Sequence, residues 1–407
     1  MSHWQLVRLG ELYTVHNGLS KGREFFGKGF PFLTFTEVFN NWFLPEELKS
    51  LVQSTDHERS ACSIKRGDVF ITRTSETMDE LGMSSVALKD YPNATYNGFT
   101  KRLRPITDRV LPEYIGYYLR SRKFRGKFMA FSSMTTRASL ANEDLLSMEI
   151  EVPPKDVQAK IAQILSRYDS LIHNYESQLS LIEEAGQRLF KEWFLDFRYP
   201  DHEKDIFVDG IPEKWQEESI LDNPYFHFAK CPVRRFDGEK TYYATADVDG
   251  TYVVNQGVKI SYLGKPSRAQ IQPAPYTVWF ARMSKSYKIL GFYNQNDARR
   301  AEAILSSGFA GFETTPDNYA YTYCLLSSKW FDEHKDRFAT GATQVSLTNE
   351  GLSKIKTLIP PKALVEQFSI QCLPLIEKAI LLREACFELA EARNLLLPKL
   401  ISGEVKL

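Results

Sequence analysis

Shifted along itself by 207 residues, the chain matches itself without a gap from residue 114 to residue 155, with 14 of those 42 positions identical. The identities include Tyr114 with Tyr321, Leu119 with Leu326, Ser121 with Ser328, Phe124 with Phe331 and Phe131 with Phe338. The densest part sets TRASLANEDL (136–145) against TQVSLTNEGL (343–352), followed by Pro-Pro-Lys at 153–155 and 360–362. Upstream, VFITRTS (69–75) aligns with VWFARMS (278–284), pairing Arg73 with Arg282 and Ser75 with Ser284; Trp4-Gln5 corresponds to Trp215-Gln216. A period near two hundred residues marks a duplicated domain and not a solenoid. The chain is built twice.

Each half ends in a long helical stretch. Residues 153–197 open on Pro153 and Pro154, tolerated in a first turn and nowhere deeper. Apolar residues then recur at steps of three and four: Val157, Ile161, Ile164, Tyr168, Leu171, Tyr175, Ile182, Ala185 and Leu189, with Gln178 the one polar entry. A stripe sustained over some forty residues, roughly 60 Å of helix, needs a facing helix. The second copy supplies it at about 364–397, with Phe368, Leu373, Ile376, Ile380, Phe387 and Ala390 as the expected buried stripe. Pro374 should kink that helix and Pro398 should end it. Because each helix follows an equivalent domain, a pseudo-two-fold arrangement would lay the two antiparallel as a coiled coil.

The globular parts alternate short β-rich runs with turns: 30–35, 67–72 and 93–99 in the first copy, 240–248 and 276–284 in the second. One helix is expected over 112–129, and another around 319–331. The fold class is α+β, with a largely antiparallel or mixed sheet in each domain. The expected layout is a first globular domain at 1–152, a first helix at 153–199, a second domain at 200–359 and a second helix at 360–407.

Among 407 residues, 51 Lys and Arg balance 51 Asp and Glu, so any nucleic-acid surface must be local. Residues 98–137 hold ten Lys and Arg (Lys101, Arg102, Arg104, Arg109, Arg120, Arg122, Lys123, Arg125, Lys127, Arg137) against Asp108 and Glu113. Such a patch suits phosphate binding, whereas a solvated face would mix its charges. Five cysteines without a CxxC pair argue against a zinc site and a disulfide framework, and for a reducing cytosol. With no signal-peptide pattern and no apolar run of membrane length, a cytoplasmic protein without a membrane partner is expected.

Catalytic motifs are missing: no GxxxxGK[ST], no GxGxxG after a strand, no HExxH, and no histidine cluster at ligand spacing. Asp222-Asn223-Pro224-Tyr225 is a distant match to the Asx-Pro-Pro-aromatic motif of amino-methyltransferases, and Asn-Pro is also an ordinary turn signal. The chain is expected to bind and position, without catalysing.

The two-copy layout, with LFKEWFLDF (189–197), ARNLLLPKLISGEV (392–405), DGIPEKWQ (209–216) and the Asn-Glu…Pro-Pro transitions at 142–154 and 349–361, resembles the specificity subunit of type I restriction-modification enzymes. The resemblance covers the chain in order. It implies two target recognition domains, each reading half of a bipartite double-stranded DNA site, with the coiled coil setting the spacer. It also implies two modification subunits that carry S-adenosylmethionine and methylate adenine, and restriction subunits that use ATP and Mg. No cofactor would be bound by the chain itself. In the second copy the family's Gly-x-Thr appears as Gly341-Ala342-Thr343; the first reads Met134-Thr135-Thr136 without glycine. The Glu-Gln that opens the helix stands at Glu366-Gln367, and the first copy has Val157-Gln158.

Expected DNA contacts are Arg73, Thr74 and Ser75 past a predicted strand, with Arg282, Ser284 and Lys285 in the second copy; strand-end solubility is the competing reading. Thr136, Arg137, Thr343 and Gln344 lie on the loop entering the repeated segment, where helix capping or packing competes. Lys21, Arg23, Arg102, Arg122, Arg125, Arg234 and Arg235 are expected phosphate contacts. Trp193 and Phe194 are expected to close the helix pair or to face the modification subunit. A scaffold without DNA recognition, or a specificity subunit of a methylation-only system, are the rival readings.

Overall fold

Ser121 breaks what the sequence suggests as one helix into two, Pro112–Arg120 and Arg122–Phe131. Its Oγ donates to Tyr118 O and accepts the Phe124 N–H, the local competition by which serine ends one helix and caps the next. Ser328 does the same in the second copy, donating to Leu325 O and accepting from Phe331 N–H between Tyr319–Leu326 and Lys329–Arg337. The repeated identities are thus the caps and core residues of this helix pair, since Tyr114, Leu119, Phe124, Tyr321, Leu326 and Phe331 are all buried.

The fold is seen in a computed structural model that describes residues 4–75, 81–131, 138–139, 141–255, 257–294, 301–342, 344–405 and 407. The chain divides into two compact units: Met1–Asn174 with Ala385–Leu407, and Tyr175–Glu384.

In the first unit an antiparallel sheet runs in the order Tyr13–Asn17, Thr100–Pro105, Val69–Thr72, Ser84–Val86. Val69–Thr72 is buried at every position, as a central strand covered on both faces should be. A three-stranded sheet beside it includes one parallel pairing, Phe32 with Thr95. Gln5–Arg8 pairs antiparallel with Glu149–Val152, just before the long helix.

The second unit repeats the plan. Its antiparallel sheet runs Phe226–Phe228, Phe309–Thr314, Thr277–Ala281, Ile289–Phe292. A companion sheet again has one parallel pairing, Lys240–Tyr243 with Ala303–Ser306. Gln216–Ser219 pairs with Lys356–Ile359, so Gln5 faces Val152 where Gln216 faces Ile359.

The long helices span Lys155–Phe190 and Lys362–Ile401. In the first unit Ile161 and Leu165 share a core with Leu397, Leu400 and Ile401, and Asp169 pairs with Arg393. In the second, Glu183 pairs with Arg383 and Phe190 meets Phe368. Rising numbers in one helix meet falling numbers in the other, so within each unit the segments run antiparallel, and the class is α+β with a coiled coil.

The seam of the first helix differs from the expected one. Ile161, Leu165, Leu179, Gly186 and Phe190 are buried, while Leu171 and Ala185 are exposed. Two stripes share Ile161, Tyr168, Tyr175 and Ile182 and differ by one residue in between. Leu179 in one against Gln178 in the other decides for the former. On the second helix Val365, Phe368, Cys372, Ile376, Ala379 and Leu382 are buried and Phe387 is 55% exposed. Pro398 does not end that helix. Its carbonyl still accepts from Ser402 N, and burial of Leu400 and Ile401, about 1.5–3 kcal/mol each, offsets the roughly 3 kcal/mol that a proline costs inside a helix. No described helix is long and apolar enough to cross a membrane.

Candidate nucleic-acid interface

The 69–72 strand runs on into Thr74–Ser75, which pairs antiparallel with Ala138–Ser139. At the equivalent place in the second copy Met283 bridges to Ser346, Ser284 N–H donates to Val345 O, and Leu347 N–H donates to Arg282 O. Backbone pairing therefore sets 138–139 beside 74–75 in the first domain and 345–347 beside 282–284 in the second. Thr136, Arg137 and Thr343 fall outside the described residues, and of Thr74 and Ser75 only the backbone is described. Gln344 is exposed. Gly341 has φ +136°, and a Cβ there would sit 2.2 Å from Gln344 O, so the loop of the second copy needs its glycine.

The backbone of the two edges is held alike, but the side chains differ. Arg73 N–H donates to Phe99 O and Arg282 N–H to Gly308 O, each at 3.0 Å. The Arg73 guanidinium lies 3.4 Å from Asn17 Oδ1, and its Nε is buried without an acceptor among the described residues. The Arg282 guanidinium is turned inward, onto Leu347 O at 2.8 Å and Asn349 Oδ1 at 2.9 Å, and burial lowers its pKa. In the first copy the residue that reaches the matching asparagine, Asn142, is Lys101. Lys101 is 6% exposed, and burial, with Arg73 adding to it, lowers its pKa. Asn142 and Asn349 were missed as site residues, although their identity at the 207-residue offset is visible in the sequence.

Lys285 is exposed and has φ +56°. Its N–H donates to both oxygens of Asp336, at 2.9 and 3.0 Å, and Lys335 Nζ adds 2.7 Å. Burial pushes the Asp336 carboxyl up, but hydrogen bonds from Lys335, the Lys285 N–H and Ser284 outweigh it and hold the group below its ordinary value. The loop after the strand is thus tied down by a charged acceptor, with Ser284 half-buried beside it.

The basic run of residues 98–137 is largely neutralised internally. Arg102 is buried against the carbonyls of Ala61 and Ser63, which leaves it no face for a phosphate. Arg104 forms a two-pronged pair with fully buried Asp68. Arg120 donates to the carbonyls of Val38, Phe39, Asn41 and Ser84, and burial lowers its pKa to about 10. Arg109 reaches Gln5, Lys123 pairs with Glu151, Arg125 donates to Leu81 O and Lys127 to Glu149 O. Of the described cations in this run, Arg122 alone is exposed without a partner. The excess arises because arginines that gather backbone carbonyls inside the domain look, in sequence, like arginines that await phosphates.

Of the remaining expected contacts, Lys21 is held by Glu58 at 2.7 Å and by Gln53 O. Arg23, Arg234 and Arg235 are exposed and make no ion pair among the described residues. Trp193 and Phe194 are buried, at 4% and 5% exposure, in a single π-helical turn, Lys191–Leu195. Phe194 packs edge-on against Tyr321 and Phe368 at 4.9 and 5.0 Å, and Trp193 against Phe368 at 5.8 Å. They close the helix onto the second domain and offer no surface to a partner. Asn223 makes an ordinary Asx turn, accepting the Tyr225 N–H at 3.0 Å, and Tyr225 OH donates to Pro360 O.

Residues 1–184 match the family model described as type I restriction modification DNA specificity domain. The chain is 23% identical to the type I restriction enzyme MjaIX specificity subunit of Methanocaldococcus jannaschii, over 99% of this chain and 94% of that one. It is 22% identical to the HindI specificity subunit of Haemophilus influenzae over the full length of both. Among solved structures, the S subunit of a type I restriction-modification system from M. genitalium superposes with a TM-score of 0.55 at 15% identity, covering 98% of this chain and 96% of that one. This last likeness is one of fold.

Proposed function

From the premise that this chain belongs to the type I restriction-modification specificity subunits, we propose that it is a non-catalytic DNA-recognition subunit whose two domains each read one half of a bipartite site. The observation that carries the reading is the repeated edge. In each domain a strand-end arginine, a returning loop and an asparagine clamp meet at one place, on backbone bonds of the same kind. Reading bases needs polar and apolar side chains fixed on a rigid edge, with cations nearby to set register on the phosphates. Arg73, Lys285 and Gln344 stand on the edges; Arg23, Arg122, Arg234 and Arg235 are exposed cations suited to phosphate.

The helices would set the spacer, since two readers joined by helices present their half-sites at a fixed helical phase. Two modification subunits, bearing S-adenosylmethionine and methylating adenine, would dock on the chain, and restriction subunits using ATP and Mg would join them in the cytoplasm. With Trp193 and Phe194 in the core, docking falls to neighbouring surfaces. One is a groove of about 290 Å³ beside that cluster, lined by Trp330, His334, Arg337, Lys354 and Lys356.

Co-expression with the modification subunit in a methylation-free host, followed by genome-wide mapping of N6-methyladenine, tests the reading. A bipartite motif with a fixed spacer supports it. An active partner with no motif would favour the scaffold reading, which the internal neutralisation of residues 98–137 also suits.

A further inference from the structure

Single exposed apolar side chains are common on protein surfaces, and most need no explanation. Phe99 differs in how it is held. Its ring is 57% exposed, yet the turn beneath it is fixed on every side. Phe99 N–H donates to Asn97 Oδ1 at 2.6 Å, Thr100 donates through N–H and Oγ1 to Asn97 O, and Asn97 N–H donates to Leu33 O. Gly98 N–H donates to Leu19 O, and a Cβ on Gly98 would meet Ser20 Oγ at 2.3 Å, so glycine lets the turn lie flat against residues 19–20. Phe99 O then takes the N–H of Arg73, whose Nε is buried and without an acceptor among the described residues. An exposed apolar side chain thus stands on a tied-down turn, one backbone hydrogen bond from Arg73. In the second domain the residue in the same backbone bond is Gly308, which has no side chain.

On the edge of a base pair in the major groove, the 5-methyl group of thymine is the apolar feature; the rest is donors and acceptors. A phenyl ring has no polar atom, so the group on that edge that it complements is the methyl. We propose that Phe99 is a specificity-determining residue of the first domain and reads a thymine by apolar contact with its 5-methyl group. The inference rests on the DNA-recognition reading given above.

The test uses the full chain assembled with its modification subunit, once the motif is mapped. Each thymine of both half-sites is replaced in turn by deoxyuridine, which removes the methyl group alone, and binding is measured by competition. The expected result is one position, in one half-site, where the wild-type complex loses about fourfold in affinity, the equivalent of one buried methyl group. F99A should lose nothing there, and F99L should keep part of the effect. Equal losses for wild type and F99A at every thymine, or a motif in which no thymine matters, would overturn the inference. In those cases a wild-type complex that still prefers its bipartite site shows that the recognition reading stands while this inference fails. A wild-type complex with no preferred site ends both.

Discussion

In the first unit Arg73 donates its N–H to Phe99 O, and in the second Arg282 donates to Gly308 O, over the same 3.0 Å. Around that shared bond the side chains diverge. The first edge has an exposed ring, a guanidinium whose Nε has no acceptor among the described residues and a buried lysine on Asn142. The second has no ring, a guanidinium folded onto Leu347 O and Asn349, and a loop anchored on Asp336. What the duplication keeps is the frame: sheet order, serine caps and the asparagine that receives a cation. What it changes is the chemistry offered at the edge. Two different half-sites can be read by one architecture if selection acts on the few side chains that leave the frame.

The strongest way to break this comparison is to attack the frame equally in both places. Phe124→Ala and Phe331→Ala should each cost about 3–5 kcal/mol in denaturant unfolding, because each ring is fully buried behind the same serine cap. A loss in one domain more than about twice that in the other would mean that the cores are not equivalent. The asparagines sharpen it. Asn142→Ala should loosen discrimination in one half-site by about tenfold, the scale of a hydrogen bond to a charged group. Asn349→Ala should act on the other half-site and more weakly, since Arg282 keeps Leu347 O. Binding to duplexes altered in one half-site at a time reads both effects.

The smallest effect is in pH. Asp336 sits below its ordinary value in the folded chain, so its contribution is present at neutral pH and lost as pH falls through that depressed value, below about pH 4. Amide exchange of Lys285 should rise there. Its counterpart edge in the first domain should hold, and equal loosening of both would count against the asymmetry.

The frame was legible in the sequence because its residues recur. Tyr114, Leu119, Ser121 and Phe124 reappear 207 positions on, and so does the run that brings 138–139 and 345–346 back to the strand ends. What misled was the side chain whose role depends on what surrounds it. Arg102 and Arg120 count as surface charge in a composition argument, yet each is wrapped by carbonyls. Trp193 and Phe194 leave two roles open in the sequence, closing the helix pair or facing a partner, because nothing nearby announces Phe368 and Tyr321. Phe99 was passed over as part of a strand, and only the turn beneath it singles it out.

The unit that contains the first domain also contains Ala385–Leu407, whereas Tyr175–Glu384 is one unbroken stretch. During translation the second unit can close as soon as its last residue emerges. The first must wait with Ile161 and Leu165 uncovered until Leu397, Leu400 and Ile401 are made. The domain that is synthesised first is therefore the one finished last. A chain cut short after residue 384 would hold all of the second unit and an unfinished first one, with Ile161 and Leu165 uncovered.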